Sequence, residues 1–233
     1  LKILLCAYAC EPDKGSEPGV GWEMPIHLAR RSPNIHFFTI TRRNNKKLIY
    51  KENYPVNLTF IYYDLPNIFL IIKRRTSFVR VYYYLWMLGA ALQLLRRKQK
   101  FDIIHHLTFV NDWFPSIFIL LKTKTNKFIW GPIGSNEEVN TKFIYKFKHK
   151  IQEKIKTVIL KTFRRFDLFF WMCRKRADLI IGTSSNVLKK INLNKKHENK
   201  FIKLTAIGIS DSKLQQQPKK IQEKTFLITS AGN

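Results

Sequence analysis

The chain has 233 residues, 45% of them hydrophobic, which excludes a disordered polyelectrolyte and supplies enough apolar material for one sizeable core. Its formal net charge of +26 favours anionic surroundings such as phosphates, nucleic acid or acidic lipid, although compositional drift toward Lys, Asn, Ile, Phe and Tyr yields the same balance. Cys6, Cys10 and Cys173 are too few and too unevenly spaced for a disulfide framework, no zinc-like Cys/His spacing accompanies them, and they read as reduced thiols in a cytoplasmic setting.

Residues 1–7 are apolar, but the run is too short for a signal peptide. The chain begins without Met, so a few residues are expected to precede Leu1. Residues 2–7 read as a buried strand, followed by a Gly/Pro-rich loop. A helix then runs to about Arg31, with Val20, Met24 and Leu28 on one face. Ser16 as N-cap and Pro18 in the first turn favour an early start, whereas Pro25 favours a start nearer Gly21. Strands are expected at 36–41, 58–63, 102–107, 127–130, 178–182 and 201–206. Between them lie helices at 78–98 and 112–122, a long or broken helix over 142–176, and another after Thr183-Ser184-Ser185. The 142–176 segment carries an apolar stripe of Ile151, Ile155, Ile159, Phe163, Phe166 and Phe170. The longest uncharged stretch, 81–95, is shorter than the ~18–20 residues that cross a bilayer. This alternation of Val/Ile/Leu-rich strands with helices means a doubly wound parallel α/β sheet, Rossmann-like, over residues 1–210. Residues 211–224 read as a Gln-rich linker, and 225–233 as the opening strand of a second domain that is cut off.

In open parallel sheets ligands bind beyond the C-terminal strand ends, so the chemistry is sought in those loops. The first loop holds Glu11, Gly15, Ser16, Gly19, Val20 and Gly21, where glycines permit close backbone approach and a helix N-terminus faces an anion. Its spacing is neither G-x-G-x-x-G nor a P-loop, so a purely structural strand-to-helix turn stays open. His105 and His106 close the 102–107 strand on opposite faces, and an imidazole there can bond a sugar hydroxyl or polarise a reacting group. A third loop offers Gly131, Gly134, Ser135, Asn136, Glu137 and Glu138 for hydroxyls, or plain turn chemistry. No nucleophile triad, zinc-protease motif or paired carboxylates argue for a hydrolase.

Tyr8-Ala-Cys-Glu-Pro12 with Gly15-Ser-Glu-Pro-Gly-Val-Gly-Trp22, Phe101 to Phe109, Trp130-Gly-Pro-Ile-Gly134 and Ala177 to Ile181 with Ser184-Ser185 occur in one order. Together they resemble one branch of the family-four (group 1) retaining glycosyltransferases. The resemblance implies the N-terminal, acceptor-side half of a GT-B fold. It implies a retaining transferase of hexosyltransferase type, moving a sugar from a nucleotide-sugar donor to a glycan or lipid-linked acceptor, as in cell-envelope polysaccharide synthesis. Under it, Gly15, Ser16, Gly19, Val20 and Gly21 approach the donor diphosphate, and His105 or His106 lies near the sugar. Glu11, Gly131, Gly134, Ser135 and Glu137 face the acceptor. No cofactor and no metal are implied. The departures are Ser135, where the branch often has glycine, and Ile207-Gly208-Ile209-Ser210, where it has an Asn-Gly-Val-Asp-like turn. Many related enzymes work at the inner face of a membrane. That gives the basic segments 73–75, 96–98 and 142–161, with Trp86 and Trp171, a use as a peripheral contact on anionic lipid. The isolated chain is expected to be inactive. The alternatives are a non-catalytic sugar- or nucleotide-binding remnant and a nucleic-acid module, and no known nucleic-acid-binding pattern supports the second.

Overall fold

The computed structural model describes residues 1–50, 52–69, 79–136, 139, 141–193 and 195–206. Among them, seven strands form one sheet: β1 (Lys2–Cys6), β2 (His36–Arg42), β3 (Leu58–Tyr63), β4 (Ile103–His106), β5 (Lys127–Ile133), β6 (Leu179–Gly182) and β7 (Phe201–Lys203). Their order is β3-β2-β1-β4-β5-β6-β7, and every pairing is parallel. Helices α1 (Ser16–Arg31), α2 (Lys46–Ile49), α3 (Val79–Arg96), α4 (Phe147–Phe166), α5 (Leu168–Arg176) and α6 (Ser185–Lys190) connect and cover them. The architecture is the doubly wound, Rossmann-like α/β sheet expected from the sequence. Chain order reverses between β1 and β4, so the C-terminal ends of those two strands border the crevice that this topology opens.

Register decides which side chain faces which layer. Leu4 pairs with Ile104 and Cys6 with His106, so these four share one face. They join Trp86 of α3, Phe118 and Phe170 in the larger core. The alternate residues Leu5 and Ala7, with Phe37 and Leu107, turn the other way and pack on Trp22 and Ile26 of α1. Burial on both faces is why the central strands read as continuous apolar runs.

Helix α1 starts at Ser16, with Gly15 as its N-cap and Pro25 inside it. Pro25 removes one helical hydrogen bond, but its ring is buried with Trp22, Ile26 and Ala29, and that packing offsets the loss. In α3, the spacing Tyr82, Trp86, Ala90, Leu94 forms one buried stripe. Trp86 is fully buried and donates its indole N–H to Tyr63 O at 2.9 Å. It is therefore a core residue, which corrects its assignment to a membrane interface. The 142–176 segment breaks at Asp167, whose extended backbone ends α4 and whose carboxylate accepts the Phe170 N–H at 2.8 Å to start α5.

Several expected elements change. The helix at 112–122 is a 3-10 turn over Ile117–Leu121. Strand β5 continues to Ile133 through a cis Gly131–Pro132 bond. Of the 151–170 stripe, Phe170 is buried, but Ile151, Ile155, Ile159, Phe163 and Phe166 are exposed. Leu160 is the buried residue of α4. The basic run 73–75, the turn 207–210, the linker 211–224 and the last strand lie outside the described residues.

Candidate functional site

The loop after β1 folds over the start of α1, with Glu11 N–H donating to Pro18 O at 3.1 Å. Two of its glycines are explained by packing. A Cβ on Gly21 would stand 1.9 Å from Ala9 O, and one on Gly19 would stand 2.1 Å from Lys14 O. Both therefore let α1 press against the loop that precedes it. Val20 packs its side chain with the α1-side core. Gly15 and Ser16, by contrast, are exposed, and nothing lies within 4 Å of a Cβ on Gly15. The N-cap supplies no side-chain oxygen to the first helical N–H groups. Of the five residues expected at the donor diphosphate, Gly15 and Ser16 are thus the ones at an exposed helix N-terminus.

The two histidines face opposite layers, as strand alternation requires. His106 is 1% exposed and lies 2.7 Å from Tyr83 Oη through its Nε2. Tyr83 Oη donates its single proton to Thr108 O at 3.1 Å, so Nε2 of His106 carries the hydrogen. Its Nδ1 is buried without a partner. His105 donates Nε2–H to Gly131 O at 2.6 Å, tying the end of β4 to β5 and leaving Nδ1 as an acceptor. Burial pushes His105 down to about 4. Burial, with the charge of His105, pushes His106 down to about 3. Both rings are neutral at pH 7.

A carboxylate not singled out in the sequence joins them. Glu17, in the first turn of α1, accepts the Phe109 N–H at 3.2 Å across the β1/β4 crevice. Burial raises its pKa, and the bond from Phe109 opposes part of that rise. An acid in a first helical turn reads as ordinary dipole complementation, which hid it. Thr108 Oγ1 accepts the Ala9 N–H at 3.3 Å on the same rim. Asp13, Ser16 and Phe109 hold φ of 56°, 57° and 58°, and Gly131 holds 128°. Left-handed backbone at non-glycine residues costs about 1–3 kcal/mol each, and such residues gather where a surface is shaped for function. Asp13 and Ser16 lie in the loop after β1, Phe109 follows β4 and Gly131 is within β5, while Lys98 and Asn192, with φ of 51° and 50°, lie at turns after helices.

The remaining expected residues divide. Glu11 is paired with Arg42 at 3.0 Å, and Arg42 also donates to Tyr8 O and covers the Tyr8 ring at 4.9 Å. Gly131 is obligatory, since a Cβ there would stand 2.1 Å from Ile181 O. Gly134 exchanges backbone bonds with Val110 and Asp112. Ser135 Oγ accepts from Lys190 at 3.1 Å, and the same Lys190 stands 3.7 Å from Asp112. Asp112 is fully buried, with Arg164 at 3.1 Å, Lys190 at 3.7 Å and the Asn136 N–H at 3.1 Å. Glu137 lies outside the described residues. His105 and Gly131 are thus in direct contact, while Ser135 belongs to a neighbouring basic cluster.

No known family model and no curated protein matches the chain. Among solved structures it is similar to a UDP-glucose: anthocyanidin 3-O-glucosyltransferase in complex with UDP, at 11% identity and a TM-score of 0.44, over 96% of this chain and 55% of that one. It is also similar to Anabaena HepE in complex with UDP and glucose, at 9% identity and a TM-score of 0.41, over 92% of this chain and 49% of that one. The chain spans about half the length of these proteins. The fold assignment rests on strand order and register rather than on these likenesses. Among the described residues, no helix is long and apolar enough to cross a membrane, and no group of three or more His, Cys, Asp or Glu side chains could hold a metal ion.

Proposed function

We propose that the chain is the acceptor-side half of a retaining, nucleotide-sugar-dependent glycosyltransferase acting on a glycan or lipid-linked acceptor. The observation that carries this reading is the β1/β4 crevice. There, an exposed helix N-terminus without a side-chain cap, the neutral His105 and the half-buried Glu17 stand at one end of the sheet. The N–H groups at Gly15 and Ser16 suit a diphosphate. His105 Nδ1 suits a sugar hydroxyl as hydrogen-bond acceptor, and its low pKa keeps it from becoming a competing cation. In the transfer, the sugar–phosphate bond breaks, the diphosphate leaves with the electron pair, and its oxygen takes the proton of the acceptor hydroxyl. That hydroxyl oxygen bonds the anomeric carbon on the face just vacated. His106 is read as a core residue, since both its nitrogens are enclosed. Exposed apolar residues and seven cations on α4 support peripheral contact with an anionic leaflet.

The test is a donor panel with the complete reading frame, read by nucleoside diphosphate release and the anomeric configuration of the product. Retained configuration with one donor class is expected, together with little transfer by these 233 residues alone. An inverted product, or binding without turnover for every donor, would overturn the proposal.

A further inference from the structure

A cleft of about 710 Å³ lies between the last turns of α4, α5 and α6, lined by Lys161, Arg164, Arg165, Arg174, Lys189 and Lys190, with Phe166 at its edge. Basic residues in a last turn complement the helix dipole, and that accounts singly for each of these cations except Lys161. It does not account for three such ends converging on one cavity. Two of the cations, Arg164 and Lys190, pair with the buried Asp112. Among the described residues, no carboxylate pairs with Arg165, Arg174 or Lys189. Arg174 is half-buried against Phe170 and donates to Ile191 O at 3.3 Å. Burial without a counter-charge pushes its pKa below the ordinary arginine range. Like charges held this close repel, and a bound anion relieves the repulsion.

We infer that this cleft is a binding site for a phosphate or diphosphate ester. Besides Arg164, which Asp112 holds, Arg165 and Arg174 bring planar forks that match phosphate oxygens in pairs, and the volume suits a group larger than a single ion. The exposed rings of Phe163 and Phe166 lead from the cleft along the apolar side of α4, so an ester with an apolar tail fits its geometry. None of the residues lining the cleft is among those that form the β1/β4 crevice, and the inference does not depend on the transferase reading.

The test uses the full chain with inorganic pyrophosphate by calorimetry, and with vesicles containing phosphatidylglycerol by sedimentation. Arg165→Ser with Lys189→Ser is the site variant. Arg97→Ser with Lys100→Ser removes equal charge from another surface. Pyrophosphate binding that falls at least tenfold in the site variant, but little in the control, supports the inference. If pyrophosphate also displaces the protein from vesicles, the ester is a lipid headgroup; if it does not, the ester is soluble. No pyrophosphate binding, or equal losses in both variants, overturns it. Nucleotide-sugar binding should be the same in all three proteins, which separates this outcome from that of the crevice.

Discussion

At the scale of single residues, the glycines of the first loop separate by what stands beside them. Gly21→Ala places a methyl 1.9 Å from Ala9 O, a backbone atom that cannot swing aside. A loss of about 1–3 kcal/mol is expected from the forced shift of α1. Gly15→Ala meets open space, so only the poorer N-cap acts and a loss below about 1 kcal/mol is expected; urea titration of both variants checks the order. The histidines make a second prediction. Their folded pKa values, about 4 for His105 and about 3 for His106, lie below the ordinary value of about 6.5. Below pH ~6.5 the unfolded chain takes protons that the folded chain refuses. Their contribution is therefore complete above that pH and is lost as pH falls toward 4 and then 3. At pH 5 the loss should be on the order of 2 kcal/mol per histidine. Imidazole NMR signals that titrate between pH 5 and 8 at both positions would contradict this account.

At the scale of elements, Asp112 links three parts of the chain: α4 through Arg164, α6 through Lys190, and the loop after β5 through Asn136. Removing one partner of a fully buried ion pair costs about 3–5 kcal/mol. Arg164 and Lys190 are 12% and 16% exposed, however, so water can take over part of their solvation. Asp112→Ala is therefore expected to cost about 1–3 kcal/mol and to raise hydrogen exchange in α6 before the central strands. Uniform exchange across the sheet would show that Asp112 does not hold those elements. The strands were largely legible, because a two-faced parallel sheet demands apolar runs, and β3 matches its expected range. The orientation of α3 was not, because that helix is apolar almost all round and Val81, Leu92 and Leu95 stay exposed. Only contact with Tyr63 and the sheet selects its Trp86 stripe. For α4 the periodicity was visible, but period does not say what covers a stripe.

At the scale of the whole molecule, the exposed stripe of α4 coincides with its charge. Ile151, Ile155, Val158 and Ile159 are exposed on a helix with seven cations and one acid, Glu153. Binding to anionic vesicles at low salt, weakened at high salt, is expected. Ile155→Asp with Val158→Asp should reduce it at least tenfold, since each insertion of apolar area is lost and a negative charge meets the lipid. Vesicle sedimentation at two salt concentrations checks this, and undiminished binding of the variant would assign the contact elsewhere. The candidate site was legible as loops but not as a constellation. Residues 11–21, 105–106 and 131–135 were separated in the chain, and strand order alone brought β1, β4 and β5 side by side.

The sequence by itself determined the α/β class, the parallel sheet and the loops at its C-terminal edge, because periodicity and turn residues act over a few positions. Tertiary structure alone decided that His105 bonds Gly131 while His106 bonds Tyr83, and that Gly19 and Gly21 serve packing. It alone brought Glu17 to Phe109 and drew three helix ends around one basic cleft. Apart from the glycine contacts, which span five and twelve positions, those outcomes depend on register and on contacts between residues tens of positions apart, which no local pattern in the chain encodes.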